Sequence, residues 1–200
     1  MRFTLLLFLL SIFTATAQVS YNDFVVNEAN KYSGGSYVWS ASGCPIDLVH
    51  KDQKILAKSP AGTHCSGFTF TVVFNTLKEH QLLEALEVNH LKDFQSHWYG
   101  NTVDGAETQC LYALTKYQLG KKVELKDAQA GDFVQFWRNN KTGHSVVFLA
   151  WEKDAKGKII GIKYRSSQKL TNGIGDRIEK VGSEPKDVDI KRVYIARIGK

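Results

Sequence analysis

The stretch GTHCSGFTF, Gly62 to Phe70, sets one of the chain's three cysteines between a histidine and a Ser-Gly pair, at the head of an apolar run. A thiol attacks well only as the thiolate, and its pKa falls at a helix N-terminus or beside an imidazolium. Cys65 meets the first condition if the apolar run is a helix, and small Ser66 and Gly67 behind it would leave room for a substrate backbone. The second condition needs a histidine delivered by the fold. His144 opens the run HSVVFLAW directly after the turn sequence NNKTG, so its ring would stand at a sheet edge, where an open site can form. His80, His90 and His97 lie in polar helical sequence and read as solvated, and His50 reads as a loop residue. His64 adjoins Cys65, but neighbours on a helix or strand point their side chains in different directions. Taken alone, Cys65 also reads as most free cysteines do, as a small buried hydrophobe. There is no Cys-x-x-Cys or His-x3-His pair to build a zinc site, and neither metal nor cofactor is expected.

The elements that must position this pair follow from pattern. Residues 18–33 read as a helix, with Phe24, Val25, Ala29 and Tyr32 on one face and Gly34-Gly35 as a stop. The segment SGGSYVWSASGCP then lets the backbone bend closely around something. The run after Cys65 is ambiguous: Phe68, Phe70, Val72 and Phe74 alternate as in a strand, while Phe70, Val73, Phe74 and Leu77 make a helical stripe, and propensity leans slightly to strand. Residues 79–98, with Leu82, Leu83, Leu86 and Leu91, read as a helix, and so do residues 105–119, closed by Gly120. Four β-rich runs follow, DFVQFW, HSVVFLAW, KIIGIKYRSS and KRVYIARI, with KDAKGK as a turn. Helices first and strands afterwards predict an α+β domain, N-terminal helices packed on a central antiparallel sheet.

The first 17 residues carry Arg2, the apolar block LLLFLLSIF and TATA before Gln18, the pattern of a signal peptide ending at Ala17. The apolar block is well short of the ~20 residues a spanning helix needs, and no other segment could span a membrane. Residues 18–200 are expected as one exported domain, since 43% apolar content in 200 residues supports one good core but not comfortably two. Loss of Arg2 leaves 25 basic against 20 acidic residues. That excess favours anionic surfaces such as bacterial envelopes, and its interspersion gives no indication of nucleic acid.

Four blocks, SYVWSASG (36–43), THCSGFTF (63–70), AGDFVQFW (130–137) and GHSVVFLAW (143–151), occur in the order and character of the NlpC/P60 family of cell-wall cysteine peptidases. The chain resembles that family over about residues 34–168. The resemblance implies a papain-like fold, with a helix from Cys65 packed on the antiparallel sheet that carries His144. It implies Cys65 as nucleophile and His144 as base, with Tyr37 and the start of the Cys65 helix, at Ser66, lining the substrate and oxyanion side. It also implies a peptidoglycan stem peptide as partner, cleaved through a thioester by a monomer, with a proteinaceous inhibitor left open.

In that family the group orienting the histidine lies on the next strand. A turn near Asp154 to Gly157 puts Ser166 to Gln168 roughly opposite His144, and alternation favours Gln168, whose amide oxygen could accept Nδ1–H, with Ser166 as the alternative. The chain departs from the family where His64 replaces an aspartate and Ser40-Ala41 replace two glycines, and in a longer segment before AGDF. Such divergence is similar to that of secreted antibacterial amidase effectors. Cys44 and Cys110 either pair, tying the Gly/Ser loop to the inserted helices and leaving Cys65 as the odd thiol, or are both simply buried. A protein-directed protease or transglutaminase-like acyl-transferase, and a non-catalytic binding module, are the competing functions.

Overall fold

The computed structural model describes residues 20–199; the leader expected to end at Ala17 lies outside them. Four helices precede most of the sheet: α1 (Asn22–Asn30), α2 (Cys65–Glu79), α3 (Val88–Trp98) and α4 (Cys110–Lys116). The strands are β1 (Gly34–Gly35), β2 (Leu48–His50), β3 (Gln53–Leu56), β4 (Gly120–Val123), β5 (Phe133–Arg138), β6 (Gly143–Lys153), β7 (Ile159–Gln168), β8 (Gly173–Lys180) and β9 (Val188–Ile198). Seven of them form one sheet in the order β1-β8-β7-β6-β5-β9-β4, antiparallel at every pairing, and β2-β3 is a separate hairpin. The architecture is α+β. Among the described residues no helix is long and apolar enough to cross a membrane.

α2 explains why its sequence was ambiguous. Twelve of its 15 residues are buried, so the helix has no polar face from which a 3.6-residue period could be read. Its threonines satisfy themselves within the helix: Thr69, Thr71 and Thr76 donate to the carbonyls of Cys65, Gly67 and Val72 at 2.8–2.9 Å. The helix packs on the sheet face that carries Phe133, Val147 and Ile198, forming the larger hydrophobic cluster with the inner sides of α1, α3 and α4.

A second cluster occupies the other face, built from Val134, Phe136, Val146, Phe148, Ile162, Tyr164 and Ile195. Its existence corrects the expectation of a single core, and its closure follows from the curl of the sheet. In a flat sheet β8 and β9, with β7, β6 and β5 between them, would stand ~19 Å apart. Yet Val181, just past β8, bridges Val188 of β9, and Arg138 of β5 pairs with Glu179 of β8. The strands therefore wrap around the second cluster.

The β6-β7 hairpin turns at Asp154 to Lys158, with Gly157 at φ +80° and the Asp154 carboxylate accepting from the N–H groups of Lys156 and Lys158 at 2.9 Å. Two register shifts interrupt it, between Phe148 and Ala150 and between Glu152 and Lys153. They offset one another, so Val147 pairs with Arg165 as the turn alone would dictate. Continued by three residues, that register sets His144 opposite Gln168. Ile160, which alternation puts on the face of buried Ile162 and Tyr164, is exposed at 43%.

Other boundaries differ from expectation. The helix placed at 79–98 begins only at Val88, because residues 80–85 are turns whose Leu83 still reaches the core. The helix at 105–119 contracts to Cys110–Lys116, and that at 18–33 to Asn22–Asn30. Asp132 of the AGDF block is fully buried and ties three elements together. It accepts from Arg197 of β9 at 2.7 and 2.8 Å, from Asn22 of α1 at 2.9 Å and from the N–H of Gln129 at 2.8 Å.

Candidate active site

Cys65 is the first residue of α2, and His64 is the N-cap. The cap is an imidazole used as an acceptor: Nδ1 of His64 receives the N–H of Gly67 at 3.3 Å, which places the ring proton on Nε2. Trp39 and Tyr99 flank that ring, with centroids 5.0 and 5.6 Å away. Gly67 serves the same joint. A Cβ there would lie 2.2 Å from the carbonyl carbon of Gly43 and 2.4 Å from its oxygen, and one on Gly43 would lie 2.2 Å from the His64 ring. The space behind Cys65 is therefore taken by the 42–43 backbone. It is not free for a substrate, as the small residues had suggested.

His144 enters from the sheet. Its ring lies on the second-cluster face, 5.7 Å from Phe136 and 5.5 Å from Tyr164 between centroids, at the end of β6 that reaches the α2 N-terminus. α2 itself packs on the opposite face, through Thr69 to Ser145 at 3.3 Å. Helix and histidine thus meet at the end of the sheet, not across one face. Burial would push the Cys65 thiol up. It is outweighed by the charge and hydrogen bond of His144, a hydrogen bond with His64 and the N–H of Ser145, and the thiol is held well below the usual range.

The remaining expected residues divide. Tyr37 lines the same cleft, strapped in place by a bridge to Thr63; burial and the Cys65 charge push its phenol up, against a smaller opposing effect of Arg138. Its hydroxyl thus stays protonated and able to donate. Ser66 is buried, its Oγ 3.9 Å from the Cys65 sulfur. Gln168 lines the cleft and is 5% exposed. Ser166, the alternative, is fully buried and donates to the Ser145 carbonyl at 2.8 Å, which commits its hydroxyl to the hairpin. Nε2 of His144 is enclosed and has no hydrogen-bond partner among the described residues, which makes it a ring nitrogen that a third group could meet.

Cys44, Cys65 and Cys110 are all free and buried, so the Cys44–Cys110 disulfide is not formed. Cys44 instead packs under the loop, its sulfur 3.6 Å from the Gly67 carbonyl and 3.5 Å from the Tyr99 hydroxyl. Burial pushes its thiol up, and burial together with the Cys65 charge pushes Cys110 well up. The solvated histidines also need correction. His97 is 3% exposed and hydrogen-bonds Thr102 and Lys116, and His50 lies buried in β2 with Nε2 3.2 Å from the Leu86 carbonyl.

The cleft beside Cys65 has a volume of about 480 Å³. Sequence reasoning missed its cationic wall of Arg138, Lys169 and Arg177 and its exposed Leu170. Arg138 was within reach: Phe136 pairs with His144, and the next residue on that face of β5 is 138. Arg177 belongs to β8, a strand that was not anticipated. Compared with models of protein families, with curated proteins and with solved structures, the chain matches none.

Proposed function

We propose that the protein is an exported peptidoglycan hydrolase of papain-like NlpC/P60 type, cutting an amide bond in the stem peptide or cross-link. The observation that carries this reading is the Cys65 thiol at the α2 N-terminus, held well below the usual thiol range beside His144. The thiolate adds to the scissile carbonyl. The oxyanion is met by the Cys65 N–H, free of an intrahelical partner at the first turn, and by the Tyr37 hydroxyl. Collapse expels the amine, which takes its proton from His144, and leaves a thioester. A water that gives its proton to His144 then releases the acid and the thiolate.

The substrate class is supported by the cleft's charge. Lys169 and Arg177 favour a carboxylate-bearing chain, Arg138 beside them being paired with Glu179, and exposed Trp39 and Leu170 offer apolar surface for its stem. The excess of basic over acidic residues works in the same direction at an anionic wall.

The test is mass spectrometry of soluble fragments released from purified sacculi by the wild type and by Cys65→Ala, beside casein with an amine acceptor. Cys65-dependent muropeptide fragments are expected, their masses naming the bond. Turnover of casein alone moves the function to a protein-directed protease or acyl-transferase, and no turnover of either substrate leaves a binding module.

A further inference from the structure

The hydrogen bonds behind Gln168 do not balance as drawn, and the imbalance is informative. The Tyr164 hydroxyl lies 2.7 Å from Gln168 Oε1 and 2.8 Å from Glu179 Oε2, all three groups buried. A phenol has one proton, and both of these oxygens are acceptors. Glu179 is gripped by Arg138 through Nε and, at 3.0 Å, through Nη2. Burial would push its carboxyl up, but the guanidinium outweighs this and holds it down, so it stays ionised and can only accept. The phenol proton therefore belongs to Glu179, and Gln168 must offer an N–H to the phenol oxygen.

Among the described residues, the Nε2 atoms of both Gln168 and His144 are enclosed without a hydrogen-bond partner. A half-turn of the Gln168 amide exchanges its oxygen and nitrogen with almost no change of shape. The nitrogen then donates to Tyr164. The oxygen takes the other position, free for His144, which the register continued past its last pair at Val147 and Arg165 would set opposite and whose ring shares the cleft wall with Gln168. One rotation resolves the doubled acceptor, gives the Gln168 nitrogen a partner, and frees the amide oxygen for the ring nitrogen of His144 that lacks one.

We propose that Arg138, Glu179 and Tyr164 are positioning residues, which fix the Gln168 amide so that its oxygen receives Nε2–H of His144 and leaves Nδ1 to exchange the proton with Cys65. The inference rests on the reading of Cys65 and His144 as the working pair. The chain runs from the cationic wall of the cleft, through a buried ion pair, a phenol and an amide, to the base. Tyr164 acts only through Gln168, and that is the property to test.

Two measurements on the mature protein need no substrate. The first is the long-range proton–nitrogen NMR spectrum of the histidine rings, with His144 assigned by its loss in His144→Ala. The Nε2–H tautomer is expected once the ring is neutral, and an Nδ1–H tautomer overturns the inference. The second is the rate of Cys65 alkylation by iodoacetamide at pH 6, read by peptide mass spectrometry in a cycle of Tyr164→Phe, Gln168→Ala and the double variant. Gln168→Ala slows the reaction about tenfold, as loss of a hydrogen bond to a charged ring requires. Tyr164→Phe slows it in the wild type and has no further effect in the Gln168→Ala background. Equal slowing in both backgrounds would mean a merely structural phenol and overturns the inference. Failure on sacculi with this coupling intact would instead overturn the peptidoglycan reading and leave the positioning chain standing.

Discussion

Gly67→Ala should destabilise the protein, although glycine to alanine inside a helix ordinarily stabilises it by about 1 kcal/mol. The added methyl would sit 2.2 Å from the Gly43 carbonyl carbon and 2.4 Å from the oxygens of Gly43 and Ser42, all backbone atoms. To restore ordinary contact the 42–43 loop must withdraw by roughly 1.2 Å. That retreat strains the Tyr99 hydroxyl to Ser42 carbonyl bond of 2.6 Å, the His64 N–H to Gly43 carbonyl bond of 3.4 Å and the Cys44 contact with the Gly67 carbonyl. Overpacking costs about 1–3 kcal/mol and each weakened hydrogen bond about 1 kcal/mol. Less the helical gain, the net loss is about 2–4 kcal/mol, or about 4–16 °C in Tm for a chain of this size. Thermal unfolding followed by circular dichroism measures it. An unchanged or raised Tm would refute the reasoning, because the loop would then be yielding freely. Should fragment release from sacculi fall in that same stable variant, the role of Gly67 would return to substrate clearance, the part its size suggested in the sequence.

Three further predictions concern charge. The thiolate of Cys65 exists above its depressed pKa, so iodoacetamide should label Cys65 at pH 6–7, where an ordinary thiol of pKa about 8.5 is mostly protonated, with the rate falling only as pH drops through the depressed value and the advantage vanishing above about pH 8.5. His144→Ala removes the largest lowering influence and should slow labelling at pH 6.5 by about tenfold or more; equal rates would show that the helix terminus and His64 suffice. Arg197→Ala strips the buried Asp132 carboxylate of its only cationic partner among the described residues and should cost about 3–5 kcal/mol in denaturant unfolding, a loss below about 1 kcal/mol being incompatible with the clamp described for β5, β9 and α1.

What could be read in the sequence was set by how many faces of each element meet solvent. The strands β5, β6, β7 and β9 declare themselves because their runs are rich in Val, Ile and aromatic residues and are bounded by turns. β8, GIGDRIEK, carries two glycines and four charges, and its partly exposed pattern hides a strand that pairs along its whole length with β7. β4, GKKV, is hidden the same way. α2 failed in the opposite sense, since burial on all sides removes the polar stripe that distinguishes helix from strand. The leucines at 82 and 86 mimic a helical face yet sit outside any helix and pack on the core. The register of the β6-β7 hairpin was legible for a less obvious reason: two register shifts cancel, so counting from the turn gives the pairing of Val147 with Arg165 that is observed. Pairing of Cys44 with Cys110 was not legible at all, because spacing along the chain does not give distance.

His64 has a structural account of its own. An aspartate at this position would cap α2 equally well, but it would set a carboxylate one residue from the thiolate and raise the thiol. The imidazole performs the cap through Nδ1 without bringing negative charge, and its hydrogen bond with Cys65 acts in the lowering direction. The cost is steric, since a ring needs more room than a carboxylate, and the chain meets it with Gly43, where any side chain would collide with that ring. Gly43 and His64 are therefore one adaptation in two parts: His64→Asp should keep the helix capped and the protein folded while moving Cys65 labelling to higher pH, and Gly43→Ala should disturb the cap itself.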